Sequence, residues 1–140
     1  MTALAITVTE APAAETLETI GSELTRFNEA DVGPAERRPL VVAVNDDAGK
    51  LVAGLSGYTA WGWLYVQWLW VEEGQRGQGL AGQMLAAAEV EARTRGCHHA
   101  YIDTFNPSAL KAYQRAGYGV FGQLPDFPKG RTRSFLSKPL

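Results

Sequence analysis

Near the start of the chain, Leu4, Ile6 and Val8 alternate with Ala5 and Thr7, the period of a half-buried strand. Pro12 then opens a helical stretch in which Leu17, Ile20, Leu24 and Phe27 fall on one face, fading from Asn28 to Gly33. Asp31 to Pro39 reads as a loop. Leu40 to Asn45 and Leu51 to Tyr58 flank the turn Asp46-Asp47-Ala48-Gly49, which is a β-hairpin signal. After the connector Thr59 to Gly62, Leu64 to Val71 is rich in Trp, Tyr and Val and predicts a further strand. The pattern changes after Val71. Glu72 to Gly79 is charged and glycine-rich. It leads into a helix from Leu80 to Arg95, with Leu80, Met84, Ala87, Ala88 and Glu91 at helical spacing and Gly96 as its stop. Ala100 to Phe105 predicts a short strand. Asn106-Pro107 reads as an N-cap followed by proline at the first helical position, and that helix runs to Ala116 and stops at Gly117. Tyr118 to Leu124 predicts a strand, Pro125 to Gly130 a turn-rich loop, and Thr132 to Leu136 a closing strand.

The predicted order is β-α-β-β-β-α-β-α-β-β, an α+β domain. Its mixed sheet has about six to seven strands flanked by about three to four helices. The unit from Leu64 to Phe105 is strand–helix–strand, which predicts parallel pairing through a right-handed crossover. At 140 residues, the chain reads as a single domain over 1–140. With 46% hydrophobic and 20% charged residues it has the composition of a globular protein that builds its own core. Net charge is −2, and Lys and Arg form no long run, which argues against a nucleic-acid partner. No stretch approaches the roughly 20 apolar residues that span a bilayer, so no membrane role is expected. Met1 to Val8 lacks the basic start of a signal peptide. Cys97 is the only cysteine, which rules out an internal disulfide; together these features fit a reducing cytoplasm.

The informative segment is Gln75-Arg76-Gly77-Gln78-Gly79-Leu80-Ala81. A glycine-rich loop enters a long helix there. The first amides of a helix have no internal partner, and the helix dipole places partial positive charge around them. Glycines weaken a helix start, so their concentration makes sense where an anion must approach the backbone closely. A pyrophosphate is the natural guest, and Arg76 adds a full positive charge. Gly77-Gln78-Gly79-Leu80-Ala81-Gly82 also matches G-x-G-x-x-G, with Asp103 at about the place of a ribose-binding acid. A dinucleotide fold, however, puts that motif directly at a strand end, whereas Glu72 to Arg76 intervene here. The preceding chain also reads as antiparallel hairpins rather than alternating βα units. The lysine-bearing P-loop is absent.

Arg76-Gly77-Gln78-Gly79-Leu80-Ala81 resembles the Q/R-x-x-G-x-G/A signature of the GNAT superfamily of N-acetyltransferases, with Leu69-Trp70-Val71 similar to the strand end before it. Downstream, Asn106, Ala109, Tyr113, Gly117 and Tyr118 stand where that family often has N-x-x-A-x-x-x-Y-x-x-x-G-[FY]. The likeness covers nearly the whole chain, through Phe121 to Pro128 and Phe135 to Leu140, and is closest to a bacterial subgroup of small single-domain members. Pro107-Ser108-Ala109-Leu110 departs from the Phe-Gln-Ala-Pro stretch common in that subgroup, which leaves the acceptor open.

The resemblance implies an acetyl-CoA-dependent N-acetyltransferase with no metal. Its two parallel strands would splay around the pantetheine arm, with backbone groups of Leu69, Trp70 and Val71 and the side chain of Asn106 beside it. The pyrophosphate would rest on Arg76, Gly77, Gln78, Gly79, Leu80 and Ala81. Tyr113 matches the family tyrosine that supplies a proton to the departing thiolate. An amine must be neutral to attack a thioester, and an alkyl ammonium has a pKa near 10.4, so a base is required. Glu72 and Glu73 at the strand end are candidates, with Asp103 behind them; a solvated strand end explains at least one of the glutamates. Phe27, Trp61, Trp63 and Tyr65 are candidate walls for a small-molecule amine acceptor, and ordinary packing explains them equally well. A peptide acceptor is a lesser alternative, and family habit suggests a homodimer. Two other classes stay open: a non-catalytic acyl-CoA sensor and, more remotely, a dinucleotide-dependent oxidoreductase. His98 and His99 read as surface or strand-entry residues, and Cys97 lacks an activating arrangement.

Overall fold

The computed structural model describes residues 3–140. Its contacts divide into two compact units, one ending at Ala35 and the other spanning Glu36–Leu140. In the first unit, α1 (Ala14–Val32) carries no buried residue. Its last turn closes where the Gly33 amide donates to the Glu29 carbonyl at 2.9 Å. Leu4 to Val8, expected as a strand, is not one: Leu4, Ile6 and Val8 are each more than nine-tenths exposed and lie outside every strand. Alternation is necessary for a strand but not sufficient, because a strand exists only where a neighbour completes its ladder. The observed order therefore begins with a helix.

The second unit holds a six-stranded sheet in the order β1-β2-β3-β4-β6-β5, from β1 (Arg38–Asn45), β2 (Leu51–Ala60), β3 (Trp63–Val71), β4 (His99–Thr104), β5 (Gly119–Pro125) and β6 (Thr132–Pro139). Only β3 and β4 run parallel, and α2 (Leu80–Thr94) connects them. The α3 helix (Pro107–Arg115) follows β4, and its Asn106 cap accepts from the amides of Ser108 and Ala109 at 2.8 and 3.1 Å. Such a cap contributes about 1 kcal/mol and fixes where the helix starts.

The core lies on one face of this sheet. Leu55, Leu64, Val66, Ala100, Ile102 and Leu136 meet Met84, Leu85, Ala88 and Ala92 of α2 and Tyr113 of α3. Each buried aliphatic side chain of this size contributes about 1.5–3 kcal/mol. The buried stripe of α2 differs from the expected one. Ala87 is exposed, while Leu85 and Glu89 are buried. Glu89 can be buried because its carboxylate accepts from the Tyr118 hydroxyl at 3.0 Å and from Lys138 Nζ at 2.7 Å. A buried carboxylate is tolerated when it is paired and hydrogen-bonded in this way.

Two features of β3 prepare the site. Its register against β2 slips between Ser56 and Gly57, which face Trp68 and Val66, so Gln67 is an extra residue. This bulge changes the alternation. Leu64 and Val66 face the core before it, whereas Leu69 and Val71 do so after it. The parallel ladder with β4 also stops there, its last pair being Val66 with Ile102. Beyond that pair the two strands no longer pair with each other.

Candidate active site

The opening between β3 and β4 continues into a groove of about 500 Å³. It is lined by Leu69, Trp70 and Val71 from β3, Thr104 from β4, and Asn106 and Tyr113 at either end of α3's first two turns. Sequence reasoning did not single out Thr104, whose place follows from the end of strand pairing rather than from any motif.

Arg76 and Ala81 close the same groove at its other end. Arg76 Nε donates to the Val71 carbonyl at 3.1 Å, which folds the guanidinium back over the strand end. Between these two residues the chain turns into α2 through Gly79 in the left-handed region (φ 76°). That conformation favours glycine. Among the described residues, no amide from Gly77 to Gly82 has a protein acceptor, the first helical bond to Gly79 coming from Gln83 at 3.1 Å. A Cβ built on Gly77 or Gly82 would meet nothing within 4 Å. The cradle is thus a cluster of unmatched N–H donors in open space at the positive end of a 15-residue helix. It has the length, charge and access to hold a diphosphate, and the groove beside it can take a narrow extended chain.

Tyr113 is 5% exposed. Burial first, and the Asp103 carboxylate second, push its phenol up to about 12. It therefore keeps its proton throughout the physiological range. Asp103 stands on β4 one residue past the last parallel pair, on the sheet face away from α2 and α3. It accepts from Tyr65 Oη at 3.3 Å and from Arg133 Nη1 at 3.1 Å. Burial, then the Asp103 charge and hydrogen bond, raise the Tyr65 phenol.

The candidate bases have different surroundings. Glu72 is half-buried and ion-paired to Lys50 at 2.8 Å; Glu73 is exposed in the 3₁₀ turn Glu73–Gln75; neither lines the groove. Asp103 does not line it either, standing beside the lining residue Thr104 on the other face of the sheet. Of the candidate acceptor walls, Tyr65 lies in the next-to-last parallel pair, stacked on Tyr101 at 4.6 Å, and does not line the groove. Trp63 stacks on His99 at 4.7 Å and Trp61 occupies the β2–β3 turn, both at the far end of β3. Phe27 lies on α1 in the first unit and is exposed. Cys97 is buried, and burial raises its thiol, so it holds no thiolate. Among the described residues there is no group of three or more His, Cys, Asp or Glu able to hold a metal, and no helix is long and apolar enough to cross a membrane.

A mixed sheet whose one parallel pair splays open beside a glycine-rich helix start is the fold that the resemblance implied. Comparison with known proteins agrees. Residues 7–118 match the model of the acetyltransferase (GNAT) family. An acetyltransferase of Agrobacterium fabrum is 45% identical over 125 residues, covering 89% of this chain and 91% of its own. A blasticidin-S acetyltransferase of Streptomyces morookaense is 40% identical over 109 residues, covering 75% and 80%. A crystal structure from Agrobacterium tumefaciens, 41% identical, superimposes with a TM-score of 0.92 over 98% of this chain and 100% of that one. The chain belongs to the GNAT family and is an N-acetyltransferase.

Proposed function

We propose that this protein transfers the acetyl group of acetyl-CoA to a primary amine of a small molecule by direct attack within a ternary complex. The observation that carries this reading is the row of acceptor-free amides from Gly77 to Gly82, with Ala81 among them lining the strand cleft. Hydrogen bonds from such amides to a charged group contribute about 1.5–3 kcal/mol each. Three or four of them therefore supply much of the roughly 8 kcal/mol that micromolar binding needs.

Bound there, the coenzyme supplies an activated acyl group as a thioester. The protein's own residues do the rest. Backbone amides of Leu69 to Val71 that lose a β4 partner at the splay are placed to donate to the acyl oxygen, where charge develops during attack. A carbon–nitrogen bond forms and the carbon–sulfur bond breaks. The amine loses its proton to a carboxylate, directly or through water, with Glu72, Glu73 and Asp103 as the candidates. The departing thiolate accepts a hydrogen bond from the Tyr113 hydroxyl, which burial keeps protonated. Any proton it takes from that phenol is replaced from solvent, to which the carboxylate returns the amine's proton. The relative that acetylates blasticidin-S favours a small-molecule acceptor over a peptide.

The test is thiol release from acetyl-CoA across a panel of primary amines, alongside the shift in melting temperature that acetyl-CoA causes. Turnover together with a rise in melting temperature is expected. A rise without turnover on any amine would favour an acyl-CoA sensor. A rise with NAD or FAD and none with acetyl-CoA would overturn the reading.

A further inference from the structure

On the face of the sheet away from α2 and α3, one residue past the last parallel pair of β3 and β4, the candidate base Asp103 is held in an ion pair. Arg133 Nη1 lies 3.1 Å from Asp103 Oδ1, and the two side chains are 24% and 17% exposed. The guanidinium carbon lies 4.0 Å from the Phe127 ring centroid and 5.1 Å from that of Phe105. Asp103 is its only acceptor among the described residues, and its Nε is buried without one. Buried donors are normally met, so a guanidinium with an unmatched, enclosed Nε and a single protein acceptor needs a reason. Arg131 is engaged elsewhere, donating to the Phe105 carbonyl at 3.3 Å, so Arg133 is the guanidinium that the Asp103 carboxylate holds.

We infer that Asp103 and Arg133 together form the acceptor subsite for a zwitterion, an amine that also bears a carboxylate, as amino acids do. The inference rests on the acyl-transfer reading and names the acceptor class of that site. Such a ligand presents its two charges in the reverse order to the protein pair. Its ammonium faces Asp103 and its carboxylate faces Arg133, so neither protein charge is left enclosed without a counter-charge. The planar guanidinium is suited to a carboxylate, which it can bind with two parallel hydrogen bonds. A plain amine meets Asp103 but sets its ammonium against Arg133, a like-charge contact that disfavours it. The stacked Tyr65 and Tyr101 rings give a flat wall for the acceptor's side chain. Acylation then removes the ammonium charge, so the product loses its attraction to Asp103 and leaves.

The experiment compares amino acids with their decarboxylated counterparts, leucine with isopentylamine and phenylalanine with 2-phenylethylamine among them, at saturating acetyl-CoA. The carboxylate-bearing member is expected to show the higher kcat/KM by at least about ten-fold, chiefly through KM. Arg133→Gln should reduce that ratio below about three-fold, and Arg133→Lys should retain part of it because the charge persists. Circular dichroism checks that both variants fold. Melting temperatures of the coenzyme A-saturated protein with each compound give a readout that needs no turnover, and only the amino acids should raise them. Equal kcat/KM within the pairs, an intact ratio in Arg133→Gln, or no selective stabilisation would each overturn the inference. If acetyl-CoA is turned over while the pairs remain indistinguishable, only the acceptor assignment fails. If acetyl-CoA neither stabilises the protein nor reacts, the transferase reading fails with it.

Discussion

Tyr113 combines enclosure with a position against the cleft, and the two together define its chemistry. A phenol pushed up to about 12 stays protonated at neutral pH, so its O–H is available as a donor. Replacing Tyr113 with Phe keeps the ring in the core and removes the proton. The expected result is a kcat at least about ten-fold lower, within the usual range for one general acid, with acetyl-CoA affinity nearly unchanged. Steady-state kinetics and a coenzyme titration check the two halves, and an unchanged kcat at every pH would leave Tyr113 with a packing role alone. Tyr113 was legible in the sequence because a family motif fixes its distance from Asn106. Arg133 was not, since an isolated arginine near a chain end carries no periodicity and no motif. Its meaning arises only when β6 lies beside β4 and brings it to Asp103.

At the level of elements, the site depends on where pairing stops. Gly57 faces the bulge on β3, and a Cβ there would lie 1.9 Å from the Tyr65 carbonyl oxygen. The obstacle is backbone, so it cannot swing aside. Gly57→Ala should therefore cost about 3 kcal/mol or more, read by chemical denaturation. The start of α2 is open instead. Gly79→Asp meets nothing nearer than Gln83 Nε2 at 3.9 Å, but it sets a carboxylate beside the free amides and strains a left-handed backbone. It should abolish the rise in melting temperature that acetyl-CoA causes; a full response would place the diphosphate elsewhere. The hairpins, both long helices of the second unit and the Asn106 cap were readable from spacing and turn residues. The bulge was not, because Gln67 looks like any strand residue until the partner strand shows that it is unpaired. The alternation from Leu4 to Val8 misled for the opposite reason, having a pattern without a neighbour.

Across the whole molecule, enclosed phenols link stability to alkaline pH. Burial and Glu89 drive the Tyr118 hydroxyl strongly upward, and Tyr113 rises to about 12. Above pH 10 the unfolded chain releases these protons while the folded one keeps them. The stabilisation is therefore complete below pH 10 and is lost as pH climbs through the folded values, by up to about 1.4 kcal/mol per pH unit for each tyrosine. Melting curves from pH 8 to 12 should fall steeply above pH 10 and less steeply in Tyr118→Phe. The course of β3 also has an optical consequence. All four tryptophans, Trp61, Trp63, Trp68 and Trp70, lie within ten residues of one another. Trp68 and Trp70 sit beyond the bulge, and Trp70 lines the cleft. Three of the four thus lie on the strand that parts from its neighbour and the fourth in the turn before it, which makes the unlabelled chain its own fluorescent reporter of a guest entering beside Trp70.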